Sequence, residues 1–301
     1  MAIARDINVE APTDLAVKAR IQSARLPDLL VEARHIANTL MSGYHGRKKR
    51  GNGDNFWQFR PYVEGEPVSR IDWRRSARDD HIYLRDQEWA AAQTVWILPD
   101  QSPSMHYQSR FSDMPKDSYA MLMALTLCEL FARSGERVAV PGLMAPTRSR
   151  NAAEEMALNF TTLKTQLTFG NFPDVSRHSH IIILSDFLDD PVKIAGNFAK
   201  LASANVTAHF VEVCDPAEER FPYHGRVEFI DPESHQRFLA GRAETFHDAY
   251  LLSYKARRQS FADLAKNTGA SYHVAPTDKK PSSVILALAT MIGQASGYRR
   301  G

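Results

Sequence analysis

"TVWILPDQSPS", residues 94–104, is an apolar run that stops on an aspartate followed by two alternating serines. The run reads as a buried strand. Asp100, Ser102 and Ser104 then place three hard oxygen groups at every second position past its end. Such a triplet serves as a strand-to-helix turn, as a phosphatase nucleophile loop, or as half of a metal site. A later stretch, "SHIIILSDF" (179–187), has the same form, a continuous apolar strand ending on Ser185 and Asp186. Strands that are apolar on both faces need cover on both sides, which is the mark of a parallel sheet between helical layers.

Outward from these two strands the chain alternates. Helices are expected over "DMPKDSYAMLMALTLCELFARSGE", with Asp113 as cap and Gly135 as stop, over "NAAEEMALNFTTLK", and over "DPVKIAGNFAKLAS". The first is apolar nearly all round from Met121 to Phe131, which places it in the interior. Strands are expected at "RVAVPGLMA", "ANVTAHFVEVCD" and "ASYHVAPT", a hairpin at "RVEFIDPESHQRFLAG", and further helices at "TFHDAYLLSYKARRQSFADLAKNTG" and "PSSVILALATMIGQA". This alternation implies a doubly wound, mostly parallel α/β sheet. Ahead of it, residues 14–41 read as two helices broken at Pro27. "SGYHGRKKRGNGDNF" reads as an exposed loop. Residues 56–89 read as short, aromatic-rich strands. The expected organisation is a helical segment over 1–45, a β-rich region over 46–92, the α/β domain over 93–295 and a tail over 296–301.

In open sheets of this kind ligands bind beyond the carboxyl ends of the strands, where the strand order reverses. With the order 3-2-1-4-5-6, and a short extended piece around Gly142 to Ala145 as strand 3, Asp100 ends strand 1 and Asp186 ends strand 4. The two would flank one crevice, about 5 Å apart.

Composition narrows the classes. The chain has 301 residues, 44% apolar and 24% charged, with a formal net charge of +2, so no strong field recruits nucleic acid or membrane. Its two cysteines, Cys128 and Cys214, offer no disulfide framework or CxxC pair. Neither a long apolar span nor a signal-peptide core is evident, and a cytoplasmic protein is expected. A phosphatase loop of the Asp-x-Asp kind needs a second carboxylate where Ser102 stands. No phosphate-binding GxxxxGK[ST] is present, since Asn52 stands in the lysine position, and HExxH and GxSxG are absent. No catalytic constellation is assembled, and a non-enzymatic protein is expected.

"DQSPS" at one strand end and "LSD" at another resemble the metal-ion-dependent adhesion site of von Willebrand factor A domains. The preceding segment, residues 51–88, resembles the signature of the domain of unknown function 58 family. It does so through Gly51, Gly53, Phe56, Arg60, Tyr62, Gly65, Arg70, Asp72, Trp73, Ala77 and Arg78. The resemblance covers residues 40–295. It implies a von Willebrand A-like fold, and Mg²⁺ or another divalent cation held by Asp100, Ser102, Ser104 and Asp186. Thr147, in "LMAPTRSRN", is the candidate for the threonine that normally completes the site. The resemblance also implies a MoxR-type AAA+ ATPase as partner, in the assembly or activation of an unidentified client protein. Mg²⁺ takes about six oxygens, and an incomplete protein shell leaves a position for a partner's carboxylate.

Residues 47–86 hold ten Lys/Arg against seven Asp/Glu, a net of +3. A small β-subdomain with core aromatics and paired arginines accounts for this block. A nucleic-acid platform in which Trp57, Phe59 and Tyr62 stack on bases is the alternative. Arg70, Asp72 and Arg78 are expected to join this region to the α/β domain. His106 is expected at the surface. The leading reading is a non-enzymatic, metal-dependent interaction module. The alternatives are a Mg²⁺-dependent phosphoester hydrolase using Asp100 and Asp186, and a nucleic-acid-binding module.

Overall fold

The computed structural model describes residues 3–5, 15–45, 56–64, 66, 68–78, 81–87, 92–162, 167–170, 172 and 174–298. At 3–5, 15–23, 43–45, 56–60, 70, 85–87 and 294–298 it describes the backbone alone. Along the chain these residues form β1 (Ile3–Arg5), α1 (Leu15–His45), β2 (Phe56–Pro61), α2 (Trp73–Ser76) and β3 (Tyr83–Gln87). There follow β4 (Thr94–Pro99), α3 (Lys116–Arg133), β5 (Arg137–Val140), β6 (Met144–Thr147), α4 (Ala152–Thr162), β7 (His180–Ser185) and α5 (Pro191–Ser203). The last part holds β8 (Thr207–Cys214), α6 (Pro216–Arg220), β9 (Val227–Ile230), β10 (Arg237–Ala240), α7 (His247–Asn267), β11 (Ser271–Pro276) and α8 (Ser282–Tyr298).

The main sheet has the order β11-β8-β7-β4-β5-β6. Every pairing in it is parallel except β5 with β6. Read from β4, this is the expected 3-2-1-4-5-6 winding, with β6 as an antiparallel edge. All of Thr94–Pro99 and His180–Ser185 is buried, because helices cover both faces. Val95, Ile97, Ile182 and Leu184 point into a core made with α1, α3, α4 and α8. Trp96, Leu98, Ile181 and Ile183 point the other way, onto α5 and α7. Alternate residues of one continuous apolar run therefore serve two cores, and fully burying each Ile or Leu contributes about 1.5–3 kcal/mol. α3 lies inside the first core and is buried from Lys116 to Ala132. Its C-terminal stop, Gly135, adopts φ +84°, a conformation glycine reaches without strain.

The structure differs from the sequence expectations at several points. Residues 15–45 are one helix that continues through Pro27. Leu26, Leu29, Ala33 and Ala37 form a stripe buried in the core with α3. That shared packing outweighs the roughly 3 kcal/mol that an interior proline costs a helix. The N-terminal segment is not wholly helical, since β1 pairs antiparallel with β9, which also pairs with β10 in the expected hairpin. α3 is capped at Pro115 and not at Asp113. α8 runs to Tyr298, past the expected boundary at 295.

At the amino end of the sheet His180 stacks on His209 with ring centroids 5.4 Å apart. His180 Nδ1 and His209 Nε2 are 3.1 Å apart, and His209 Nδ1 lies 2.8 Å from Ser271 Oγ. Burial, reinforced by the neighbouring His180 and His273, pushes the His209 imidazole down from 6.5 to about 3. The folded state therefore leaves His209 neutral in a range where the unfolded chain protonates it. Its contribution is complete above pH 6.5 and is lost progressively as pH falls towards 3. Between pH 7 and pH 5 this amounts to about 2 kcal/mol. Buried carboxyls with raised pKa act with the opposite sign, so the test is the difference from a variant. Urea unfolding at pH 7 and pH 5 should show a smaller acid loss in His209→Gln than in the wild type. Equal losses in the two proteins would discard this role for His209.

Candidate metal centre

Strand order reverses between β4 and β7. Pro99 pairs with Leu184 there, and the ladder continues with Asp100 N donating to Leu184 O at 2.9 Å. The chain ends of both strands thus open into one crevice. Asp100 folds back on its own loop, its Oδ1 accepting from Ser102 N at 3.0 Å. Its Oδ2 accepts from Ser185 Oγ at 2.5 Å, which ties the two strand ends together. Ser102 Oγ and Ser104 Oγ are 3.1 Å apart, and the Ser104 hydroxyl also bonds Asp186. Asp100, Ser102, Ser104 and Asp186 are all buried. The four residues singled out from two distant stretches of sequence are in one connected cluster.

Thr147 is not part of it. As the last residue of β6 it pairs with Val138 near the start of β5, level with Val95 at the amino end of β4. β6 runs antiparallel, so its carboxyl end points away from the crevice. Thr147 is five residues of strand and two strand spacings from Asp100, beyond about 15 Å by standard strand dimensions. Its hydroxyl instead accepts from Ser149 N at 3.1 Å.

Sequence reasoning missed the residue at the centre of the crevice. Lys116, the first residue of α3, has no solvent exposure, and its Nζ donates to Asp186 Oδ2 and Glu218 Oε1, both at 2.7 Å. Glu218 lies in α6, just past the end of β8. Asp215 caps α6 there in a reciprocal box, and Glu218 Oε2 accepts from Asp215 N at 2.8 Å. Burial alone would raise the Asp186 carboxyl, but the Lys116 ammonium and the bonds from Lys116, Ser104 and Leu188 hold it below its ordinary range. Glu218 is raised, because burial and the charge of Asp186 outweigh its share of the same ammonium. Burial lowers Lys116, but the two carboxylates more than reverse this and raise it. Asp100, beyond the ammonium's hydrogen bonds, is pushed up to about 7 by burial and then by the charge of Asp186.

Three buried carboxyl groups therefore line the crevice, and two of them, Asp186 and Glu218, share its one ammonium among the described residues, Lys116. Asp189 and Glu233 stand at the exposed rim, both raised by partial burial and by nearby carboxylates that include Asp186. The donors offered by Asp100, Ser102, Ser104 and Asp186 are all oxygens, a set that fits a hard divalent cation such as Mg²⁺. No three His, Cys, Asp or Glu side chains among the described residues gather closely enough to hold a metal by themselves. The serine hydroxyls would have to be direct ligands, with the aspartates acting through water. His106 plays no part in the cluster, its Nδ1 lying 2.7 Å from Asp117 Oδ2.

The profile of the family described as "Protein of unknown function DUF58" matches residues 58–260. The chain belongs to this family. Two curated relatives are the "Uncharacterized protein Rv1480" of Mycobacterium tuberculosis (strain ATCC 25618 / H37Rv) and the "Uncharacterized protein Mb1516" of Mycobacterium bovis. Each is 23% identical over 275 residues, covering 85% of this chain and 85% of the relative. Among solved structures, the conserved hypothetical protein BatB from Bacteroides thetaiotaomicron aligns with a TM-score of 0.44 and 14% identity. It covers 68% of this chain and 100% of its own. An aerotolerance-related membrane protein from Bacteroides fragilis NCTC 9343 gives 0.40 and 14%, over 66% and 100%. Both scores lie below 0.5, so the fold of this DUF58 chain rests on its own strand order. That winding, with an aspartate-serine loop after β4, agrees with the von Willebrand A resemblance.

The DUF58 signature residues lie apart from this crevice in the sequence, on the β2–β3 hairpin and its connection. Arg60 pairs with Leu84 across that hairpin, and Tyr62 is half-buried, its hydroxyl donating to Glu66 O at 3.4 Å. Asp72 caps α2 by accepting from Arg75 N at 2.9 Å, while its own N–H donates to Tyr83 O. These bonds stay inside the β-rich region, and the expected link from Asp72 to the α/β domain is not among them. Arg78 is exposed, with its N–H donating to Arg75 O. Trp73 is 63% exposed, against the expectation of a core aromatic. The side chain of Arg70, Gly51, Gly53, Gly65 and the basic run 47–50 lie outside the described residues. No described helix is long and apolar enough to cross a membrane.

Proposed function

We propose that this DUF58 protein is a non-enzymatic, cation-dependent protein-interaction module. Mg²⁺ would be held by Ser102 and Ser104, with Asp100 and Asp186 acting through bound water. The cation supplies a Lewis-acidic open position at the mouth of the crevice, and a carboxylate from a partner completes its shell. The observation that carries this reading is the convergence of these four side chains where buried carboxyl groups outnumber ammonium groups. Asp100 and Ser185 hold the loop, and Lys116 neutralises part of the charge so that the site folds before a cation arrives. The family resemblance supplies the partner, a MoxR-type AAA+ ATPase, with this chain as adaptor or co-chaperone in the cytoplasm during assembly or activation of a client. We place phosphoester hydrolysis second. Asp100, one of the two carboxylates it would use, is 2% exposed with both oxygens engaged, which leaves it little access to a substrate.

The test combines binding and capture. Calorimetric titration of Mg²⁺ into the full chain should show one saturable site, weakened about a hundredfold by Ser102→Ala with Ser104→Ala. A pull-down against the ATPase should succeed in Mg²⁺ and fail in EDTA and with the double variant. A complex indifferent to all three conditions would remove the bridge, and phosphatase turnover abolished by Asp100→Ala would replace it with hydrolysis.

A further inference from the structure

The β9–β10 hairpin reaches back over the aspartate-serine loop. Glu233, at its tip, accepts from Ser104 N through Oε1 at 3.3 Å, across 129 residues of sequence. Ser104 is one of the two hydroxyl ligands proposed above, and its amide nitrogen is bonded to the Cα that bears the CH2–OH side chain. Glu233 therefore stands next to a residue of the proposed cation site, with Asp189 and Asp186 near it.

The turn is built to present this carboxylate. Asp231 Oδ1 accepts from Glu233 N at 3.1 Å, and its Oδ2 accepts from the Ser234 hydroxyl. Asp231 N donates to Gln236 O and His235 N to Asp231 O, each at 2.9 Å. His235 closes the turn at φ 58°, a left-handed conformation uncommon for a residue with a side chain. Below the tip, Phe229 stacks on Phe221 with centroids 5.8 Å apart. The loop and the hairpin's base are joined where Tyr107 and Tyr223 share a hydroxyl–hydroxyl bond of 2.7 Å. A preorganised, anchored hairpin thus aims a carboxylate at a crevice already rimmed by Asp189 and lined by Asp186. Like charges so placed repel unless a cation lies between them.

We infer that Glu233 is an internal ligand of the cation, filling the position that a partner's carboxylate would take. The hairpin must give way before an acidic side chain of a partner reaches the metal, so the site is closed in cis until a competitor displaces Glu233. This rests on the cation reading above, and the experiment separates the two.

Mn²⁺ is titrated into the full chain as a paramagnetic substitute for Mg²⁺, with free ion followed by electron paramagnetic resonance and bound ion by water-proton relaxation. Glu233 is exposed, so its replacement leaves the core intact. Glu233→Gln keeps an acceptor for the Ser104 amide and removes the charge. It should bind Mn²⁺ on the order of ten- to a hundredfold more weakly than the wild type. Glu233→Ala should bind as weakly but with higher relaxation per bound ion, because a water enters the vacated position. Glutarate should lower that relaxation in Glu233→Ala and leave the wild type unchanged. If both Glu233 variants match the wild type while Ser102→Ala with Ser104→Ala abolishes binding, the cation reading stands and the internal ligand is overturned. Absence of any saturable Mn²⁺ site in the wild type overturns both.

Discussion

Lys116→Met should lower the stability of the metal-free protein by about 3–5 kcal/mol, the range for stripping one partner from a buried ion pair. Methionine fills nearly the same volume, so the loss comes from charge and not from a cavity. Asp186 and Glu218, both bonded to Nζ at 2.7 Å, would be left facing each other inside the protein. The decisive feature is a difference between conditions. Without the ammonium the crevice becomes a stronger cation trap, so millimolar Mg²⁺ should raise the melting temperature of Lys116→Met more than that of the wild type. Thermal unfolding of both proteins in EDTA and in Mg²⁺ decides it. Equal Mg²⁺ responses would mean that Lys116 and the cation do not share the same negative charge.

The second large effect is expected at Glu212, the buried carboxylate of β8. Glu212 is 2% exposed and meets Arg258 of α7 in a two-pronged pair, Nε to Oε2 at 3.0 Å and Nη2 to Oε1 at 3.1 Å. Tyr254 and Tyr272 donate their hydroxyls to the same carboxylate. Planar, bidentate, charge-assisted bonds of this kind are among the strong ones, and two phenols depend on them as well. Glu212→Ala should cost about 3 kcal/mol, the lower end of the range for a broken buried pair. The lower end applies because Arg258 keeps Glu219 at 2.7 Å and a quarter of its own exposure. Arg258→Ala should add much less in the Glu212→Ala background than alone, since the pair is already gone. Additive losses in urea unfolding would show that Glu212 and Arg258 stabilise the fold independently and not as a pair.

Much of this architecture was legible in the chain. "TVWILP" and "HIIILS" announced strands covered on both faces, because a run without polar alternation has no solvent side. The spacing of strands and helices allows one common winding, and that winding alone puts Asp100 and Asp186 in the same crevice. Pro27 misled because local geometry argues for a break, while the stripe Leu26, Leu29, Ala33 and Ala37 buries against α3 only in the assembled fold. Thr147 misled for a related reason. Its place as a candidate depended on a motif, and the antiparallel run of β6 carries it to the opposite end of the sheet.

Lys116 was in plain view at the head of an apolar helix, where a lone lysine reads as a solvated end. A fully buried ammonium is tolerable only with partners, and those partners, Asp186 and Glu218, lie 70 and 102 residues away. Glu233 was equally hidden, read as one polar residue of a hairpin turn. Periodicity and strand-end chemistry are local properties, so the sequence by itself determined the sheet, its winding and the convergence of Asp100, Ser102, Ser104 and Asp186. Electrostatic compensation is a property of three-dimensional neighbours, so only the tertiary structure decided which charges meet in the crevice and which carboxylate stands at its mouth.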